Sequence, residues 1–167
     1  MPRGKVDPQE YSTAVSLLKR WHKAVAEIDG VSDEMKLIAA DPLMGIKSIE
    51  YEKARIRALA VINQVGEETV DAGFWPELTS KGGSAILARL KQKLDDSIKC
   101  QLNLLRSWGS VSAAFRSGRG NEAPPIEEIM SLNNEYLRAL DEMGGVATEL
   151  AFYYKIPAEK LESGETE

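Results

Sequence analysis

Nine residues near the C-terminal end of the chain, Ile126, Ile129, Asn133, Tyr136, Leu140, Met143, Ala147, Leu150 and Tyr154, follow one another at alternating steps of three and four. That spacing returns a side chain to the same face of a helix at every step and cannot be read as a strand, whose faces alternate every second residue. An apolar seam of this length must be covered by another helix, either from the same chain or from a partner. Asn133 is its one amide, at a position where a buried amide commonly fixes register or oligomeric state.

The rest of the chain is patterned in the same way. Asp7-Pro8-Gln9-Glu10 is a helix start, with Asp7 as cap, Pro8 in the first turn and Glu10 able to reach back to the cap. Tyr11, Ala14, Leu18, Trp21, Val25 and Ile28 then form a second seam, which closes at Asp29-Gly30. Ser32 is placed to cap a short helix over 33–40, ended by Asp41-Pro42. A third long helix is predicted over about 43–65, with Ile46, Ile49, Ile56, Leu59 and Ala60 inward. Glu50, Glu52, Lys53, Arg55 and Arg57 are expected on its outer face, with Glu50–Lys53 and Glu52–Arg55 spaced to pair.

Glycines, Pro76 and the adjacent Phe74-Trp75 mark 66–83 as a long connection. A fourth helix is predicted from Ser84 to about Trp108, with Leu87, Leu90, Leu94, Ile98, Leu102 and Leu105 inward. Pro124-Pro125 opens the C-terminal seam helix after a polar loop over 116–121. Gly144-Gly145 falls inside that helix and implies either a kink or the close approach of a partner helix. No strand alternation occurs anywhere. The expected fold is all-α, a bundle of four long helices and one short one with a coiled-coil-like C-terminal helix. It forms one domain over 1–162, followed by an acidic tail over 163–167.

Charge is segregated along the chain. Residues 24–80 carry five basic and eleven acidic side chains, 81–119 eight and two, and 120–167 three and eleven. One account lays the basic helix against acidic neighbours in the bundle or across a dimer. The other presents it to nucleic acid, with Arg89, Lys91, Lys93, Lys99, Arg106, Arg116 and Arg119 as phosphate contacts without base readout.

Few catalytic mechanisms fit the composition. His22 is the only histidine and Cys100 the only cysteine, too few for a structural zinc site and a weak basis for a nucleophile–base pair. Neighbouring carboxylates such as Glu67-Glu68 diverge by about 100° on a helix. Glu50, Glu52, Glu67, Glu68 and Asp71 form only a loose version of a magnesium-binding helix pair. Lys81-Gly82-Gly83-Ser84 lacks P-loop spacing and reads as a capped helix start. No enzyme, cofactor, metal or small-molecule substrate is expected.

The lone cysteine, the absence of an apolar run near the ~20 residues of a membrane span, and a polar start point to a soluble cytoplasmic protein. The expected function is non-enzymatic, a scaffold or adaptor that self-associates or docks a partner helix. Ile129, Asn133, Tyr136, Leu140, Met143 and Leu150 would form the interface, with Trp75 as a loop anchor that otherwise plugs the end of the bundle. The alternative is a small oligomeric subunit of a nucleic-acid packaging or processing complex.

Overall fold

The computed structural model describes residues 7–40, 47–71 and 73–162. Every regular element among them is helical. α1 spans Pro8–Gly30, α2 Asp33–Ala39, α3 Ile49–Val70, α4 Lys81–Arg116, α5 Ile126–Tyr153 and α6 Ala158–Glu162, with a 3₁₀ turn at Gly120–Glu122. The architecture is therefore an all-α bundle of four long helices and the short α2, with α6 as a one-turn addition.

Capping explains most of the starts. Asp7 accepts from Gln9 N at 3.1 Å ahead of α1, and Ser48 accepts from Tyr51 N at 3.1 Å ahead of α3. Ser32 precedes α2 but its hydroxyl makes no cap bond; its carbonyl takes Lys36 N instead. α4 begins three residues earlier than Ser84, because Ser80 caps it by accepting from Gly83 N at 3.2 Å. It also runs eight residues beyond Trp108, through Gly109, and stops where Gly118 takes a left-handed φ of 74°. α3 likewise continues past Gly66 to Val70. The connection between α3 and α4 is thus residues 71–80, shorter than the sequence implies, because isolated glycines inside long helices are tolerated at ~1 kcal/mol each.

α5 lies antiparallel on α4, in register from Arg89 opposite Glu149 to Lys93 opposite Glu142. α3 covers another side of α4, α1 packs on α3 and α5, α2 on α3, and α6 on α1. Leu17, Ile28, Ile62, Leu90, Leu94, Leu105, Met143 and Leu150 are at most 1% exposed and mark the centre of the core. Burying a side chain of this size contributes about 1.5–3 kcal/mol.

The inward face of α3 differs from the expected one. Tyr51, Ala54, Ala58, Ile62, Val65 and Thr69 are buried, whereas Ile49 and Ile56 are 61% and 55% exposed, Ala60 is exposed and Leu59 half-buried. Ile46 lies outside the described residues. The buried set also follows three-and-four spacing, and its alanines let neighbouring helices come close to the α3 backbone. Rotating the helix also brings Glu52 and Arg55 partly inside, where they form the expected pair as a two-pronged fork at 2.5 and 2.9 Å. Gly109 makes room for it, since a Cβ there would stand 2.7 Å from Arg55 Cζ. Arg57 leaves α3 to pair with Glu34 of α2.

Candidate interaction surfaces

The C-terminal seam is covered from within the chain. Ile129, Tyr136, Met143, Ala147, Leu150 and Tyr154 are buried, Leu140 is half-buried, and Asn133 and Ile126 are exposed. Tyr136 donates from its hydroxyl to Asp29 Oδ1 at 3.2 Å and so fastens α5 to the end of α1. Burial, reinforced by the Asp29 carboxylate, pushes its phenol pKa well up and keeps it neutral. Of the seven residues expected at an interface, four are core contacts of the single chain. Asn133, Leu140 and Trp75 keep some accessible surface.

Beside the buried positions runs a stripe made of two seam residues, Ile126 and Asn133, and two that the seam spacing passes over, Met130 and Leu137. Ile126, Met130 and Leu137 are 58%, 57% and 51% exposed and share one face with Asn133. Their steps of four, three and four place all four on one edge of α5. The signal is present in the sequence as an apolar band wider than a two-position seam, the usual pattern of a helix in contact on more than one side. The stripe borders a groove of about 350 Å³ between α2, α4 and α5, whose walls include Met35, Leu104, Trp108 and Ile129. Asp29, Asn133 and Asn134 supply polar groups to its lining.

The basic helix meets acidic neighbours. Arg89 pairs with Glu149 at 2.9 Å, Lys93 with Glu142 at 2.9 Å and Lys99 with Asp95 at 2.8 Å, while Arg116 stands 3.8 Å from Glu52. The partner carboxylates hold Arg89, Lys93 and Lys99 more firmly protonated than usual. Lys91, Arg106 and Arg119 keep accessible surface. Four of the seven expected phosphate contacts are thus engaged by carboxylates of the same chain, three of those carboxylates standing on α3 or α5 and the fourth one turn away on α4.

Trp75 is half-buried at one end of the bundle, donating from Nε1 to Thr69 O at 2.5 Å and packing edge-on against Phe74 with ring centroids 4.9 Å apart. Arg20 of α1 closes over the same corner, donating to Phe74 O at 2.9 Å and lying 5.7 Å above its ring. We expect Trp75→Ala to lower unfolding stability by about 2–3 kcal/mol, with the helical circular dichroism of the folded fraction unchanged. Denaturant titration measures this directly.

At the start of α4, Gly82-Gly83 seats two tyrosines. A Cβ at Gly82 would meet the Tyr153 ring at 2.7 Å, and one at Gly83 would meet Tyr154 Oη at 2.0 Å. The first turn of α4 is therefore packed against the end of α5, and Ser80 takes up the Gly83 amide. Glu10 completes this cluster. Instead of reaching back along α1, its Oε1 accepts from Ser80 N and from Tyr154 Oη, both at 2.8 Å, and its Oε2 from Thr79 Oγ1 at 3.2 Å. Burial raises the Glu10 pKa, but the bonds from Ser80, Tyr154 and Thr79 outweigh it and leave the carboxyl below its ordinary value.

His22 faces Trp21, ring centroids 6.1 Å apart, whereas Cys100 is half-buried on α4 with Glu135 and Asp96 nearby. Burial, followed by those carboxylates, pushes the thiol pKa up, the reverse of what a nucleophile needs. Among the described residues, no three His, Cys, Asp or Glu side chains gather as metal ligands, and no helix is long and apolar enough to cross a membrane.

No protein-family model, curated protein or solved structure matches this chain.

Proposed function

We propose that the protein is a non-enzymatic helical adaptor that pairs with a second copy of itself along the outer edge of α5. The observation that carries this reading is the exposed stripe Ile126, Met130, Asn133, Leu137 beside the apolar groove. Exposed apolar side chains scattered singly are ordinary, but a contiguous row alongside a groove marks a contact surface. The stripe is self-complementary. A two-fold axis between Asn133 and Asn134, with the two α5 helices antiparallel, sets Met130 against Leu137 of the second copy and brings the asparagines together at the axis. Glu127 and Arg138, both exposed on the same flank of α5, then face each other twice across the pair. Asn133 keeps the register-setting role expected of it, now at a two-fold axis on the surface.

The ion pairs of Arg89, Lys93, Lys99 and Arg116 support the account in which the basic helix is balanced inside the bundle. A gel shift with DNA or RNA at low salt is accordingly expected to show no retention, and a salt-sensitive shift would restore the nucleic-acid reading.

Size-exclusion chromatography with light scattering tests the pairing. The wild type should run as a dimer at concentrations on the order of tens of micromolar. Leu137→Asp and Met130→Asp should each weaken pairing by about thirty-fold or more, the size of a central contact, without loss of helix content. Arg138→Glu should weaken the dimer and Glu127→Arg added to it should restore it. A wild-type monomer in this concentration range overturns the proposal.

A further inference from the structure

The groove between α2, α4 and α5 has a polar end and an apolar one. At the polar end, against the last turn of α1, Gln101 of α4 donates from Nε2 to Ile28 O at 3.1 Å and Tyr136 of α5 donates to Asp29 Oδ1 at 3.2 Å. From there α4 continues toward Trp108, while α5, antiparallel to it, leads back toward Ile126. Leu104, Leu105 and Ile129 line the groove on the way. The volume, about 350 Å³, is within the usual range of small-molecule pockets, roughly 300–1,000 Å³.

α2 supplies the facing wall. Ser32, Met35, Lys36 and Ala39 all line the groove, and their spacing puts them on one face of the helix. Met35 is 3% exposed and closes the wall, whereas Lys36 is exposed. The Ser32 hydroxyl makes no cap bond, and it stands one turn before Lys36 on the same face. Asp29 is exposed too, but its bond from Tyr136 fixes where its carboxylate stands.

Asp29 and Lys36 are the two charged residues of the lining. Among the described residues, neither forms an ion pair, with the other or with any third group. This restricts the occupant. A fatty carboxylate would meet Lys36 but bring its charge beside Asp29, and an aliphatic amine would meet Asp29 but crowd Lys36. An uncharged hydrocarbon would strip water from both and return nothing. A zwitterion with one large apolar group answers all three features.

We propose that this groove binds an α-amino acid with a large apolar side chain. Its ammonium sits on the Asp29 carboxylate, its carboxylate is reached by Lys36 with the Ser32 hydroxyl beside it, and its side chain lies along Leu104 and Leu105 toward Trp108. The flexible Lys36 stem sets the span between the two charges. The site is one of binding, with no bond made or broken. It is complete in one chain and does not rest on the pairing proposed above, although Met130 and Leu137 border both.

Trp108 lines the groove and the other two tryptophans do not, so the indole resonances in a ¹⁵N–¹H correlation spectrum report on the site, with Trp108 assigned by its disappearance in Trp108→Phe. L-phenylalanine is the probe. The controls are 3-phenylpropionate, which lacks the ammonium, and 2-phenylethylamine, which lacks the carboxylate. The titration is run on the wild type and on Arg138→Glu, which weakens the proposed pairing and lies outside the lining, so that a groove covered by pairing is distinguished from one that does not bind. L-phenylalanine should shift the Trp108 indole N–H and leave those of Trp21 and Trp75 in place. It should bind about three- to fivefold more tightly than either control, the size of one exposed charge contact. Lys36→Met should bring L-phenylalanine and 2-phenylethylamine to equal affinity. Asp29→Asn, which keeps an acceptor for Tyr136, should do the same for L-phenylalanine and 3-phenylpropionate. A Trp108 resonance unmoved in both proteins by L-phenylalanine at its solubility limit overturns the proposal, as does a control that binds as tightly as L-phenylalanine. A preference that survives its own charge-removing substitution overturns it as well.

Discussion

Gly83→Ala should destabilise the protein by about 2–3 kcal/mol, although glycine-to-alanine changes inside helices ordinarily stabilise by up to ~1 kcal/mol. The sign reverses because of what the new methyl group meets. It would stand 2.0 Å from Tyr154 Oη and 2.7 Å from Ser80 Oγ. Neither atom is free to retreat. Tyr154 is 2% exposed and hydrogen-bonded to Glu10, and Ser80 Oγ is the cap of α4. Relief requires the end of α5 to lift from the start of α4, breaking the cap and the Glu10 contacts together. Gly145→Ala is the matched control, exposed on α5, where an added methyl group would find nothing within 4 Å. It should stabilise by about 0.5–1 kcal/mol. Urea titrations of the two variants and wild type measure the contrast, and a stabilised Gly83→Ala would show that the tyrosine is not held there.

Glu10→Ala should cost about 3 kcal/mol, because it leaves the Ser80 amide, the Thr79 hydroxyl and the Tyr154 hydroxyl without their shared acceptor. Glu10→Gln should cost less and should change how stability varies with pH. The native carboxyl titrates below its ordinary pKa of 4.5. A group whose pKa is lower folded than unfolded binds its proton more readily in the unfolded chain. Its stabilisation is therefore complete above pH 4.5 and is lost as pH falls below that value through the native pKa. In Glu10→Gln this part of the acid-side decline should be absent, so the two stability curves should converge as the pH is lowered. Parallel curves across this range would show that Glu10 does not hold its proton affinity down in the folded state.

The helical class, the positions of α1, α2 and α5, and the inward faces of α1, α4 and the part of α5 from Tyr136 onward follow from spacing alone. An apolar residue every three or four positions must be covered, whatever covers it, so Leu18, Leu94 and Leu150 are legible as core without any tertiary information. The pairing of Glu52 with Arg55 is legible for the same reason, since it depends only on one helix turn.

What covers each face is not a local property. In α3 two faces compete. Bulk favours the isoleucines at 49 and 56, but the neighbouring helices pack on Tyr51, Ala54 and Ala58, where small side chains permit a closer backbone approach. The α5 seam has the spacing of an oligomer contact and is met instead by α4 of the same chain, which leaves the flanking stripe at Ile126, Met130 and Leu137 exposed. Glu10 is the extreme case. The partner that spacing offers it is a backbone amide three residues away, and the tertiary fold supplies donors 69, 70 and 144 residues away. Helix periodicity is decided by neighbours in sequence, within a few residues of each side chain. Choosing between two adequate faces, or between a near and a distant hydrogen bond, depends on the shape of the other helices, and only the assembled bundle sets that.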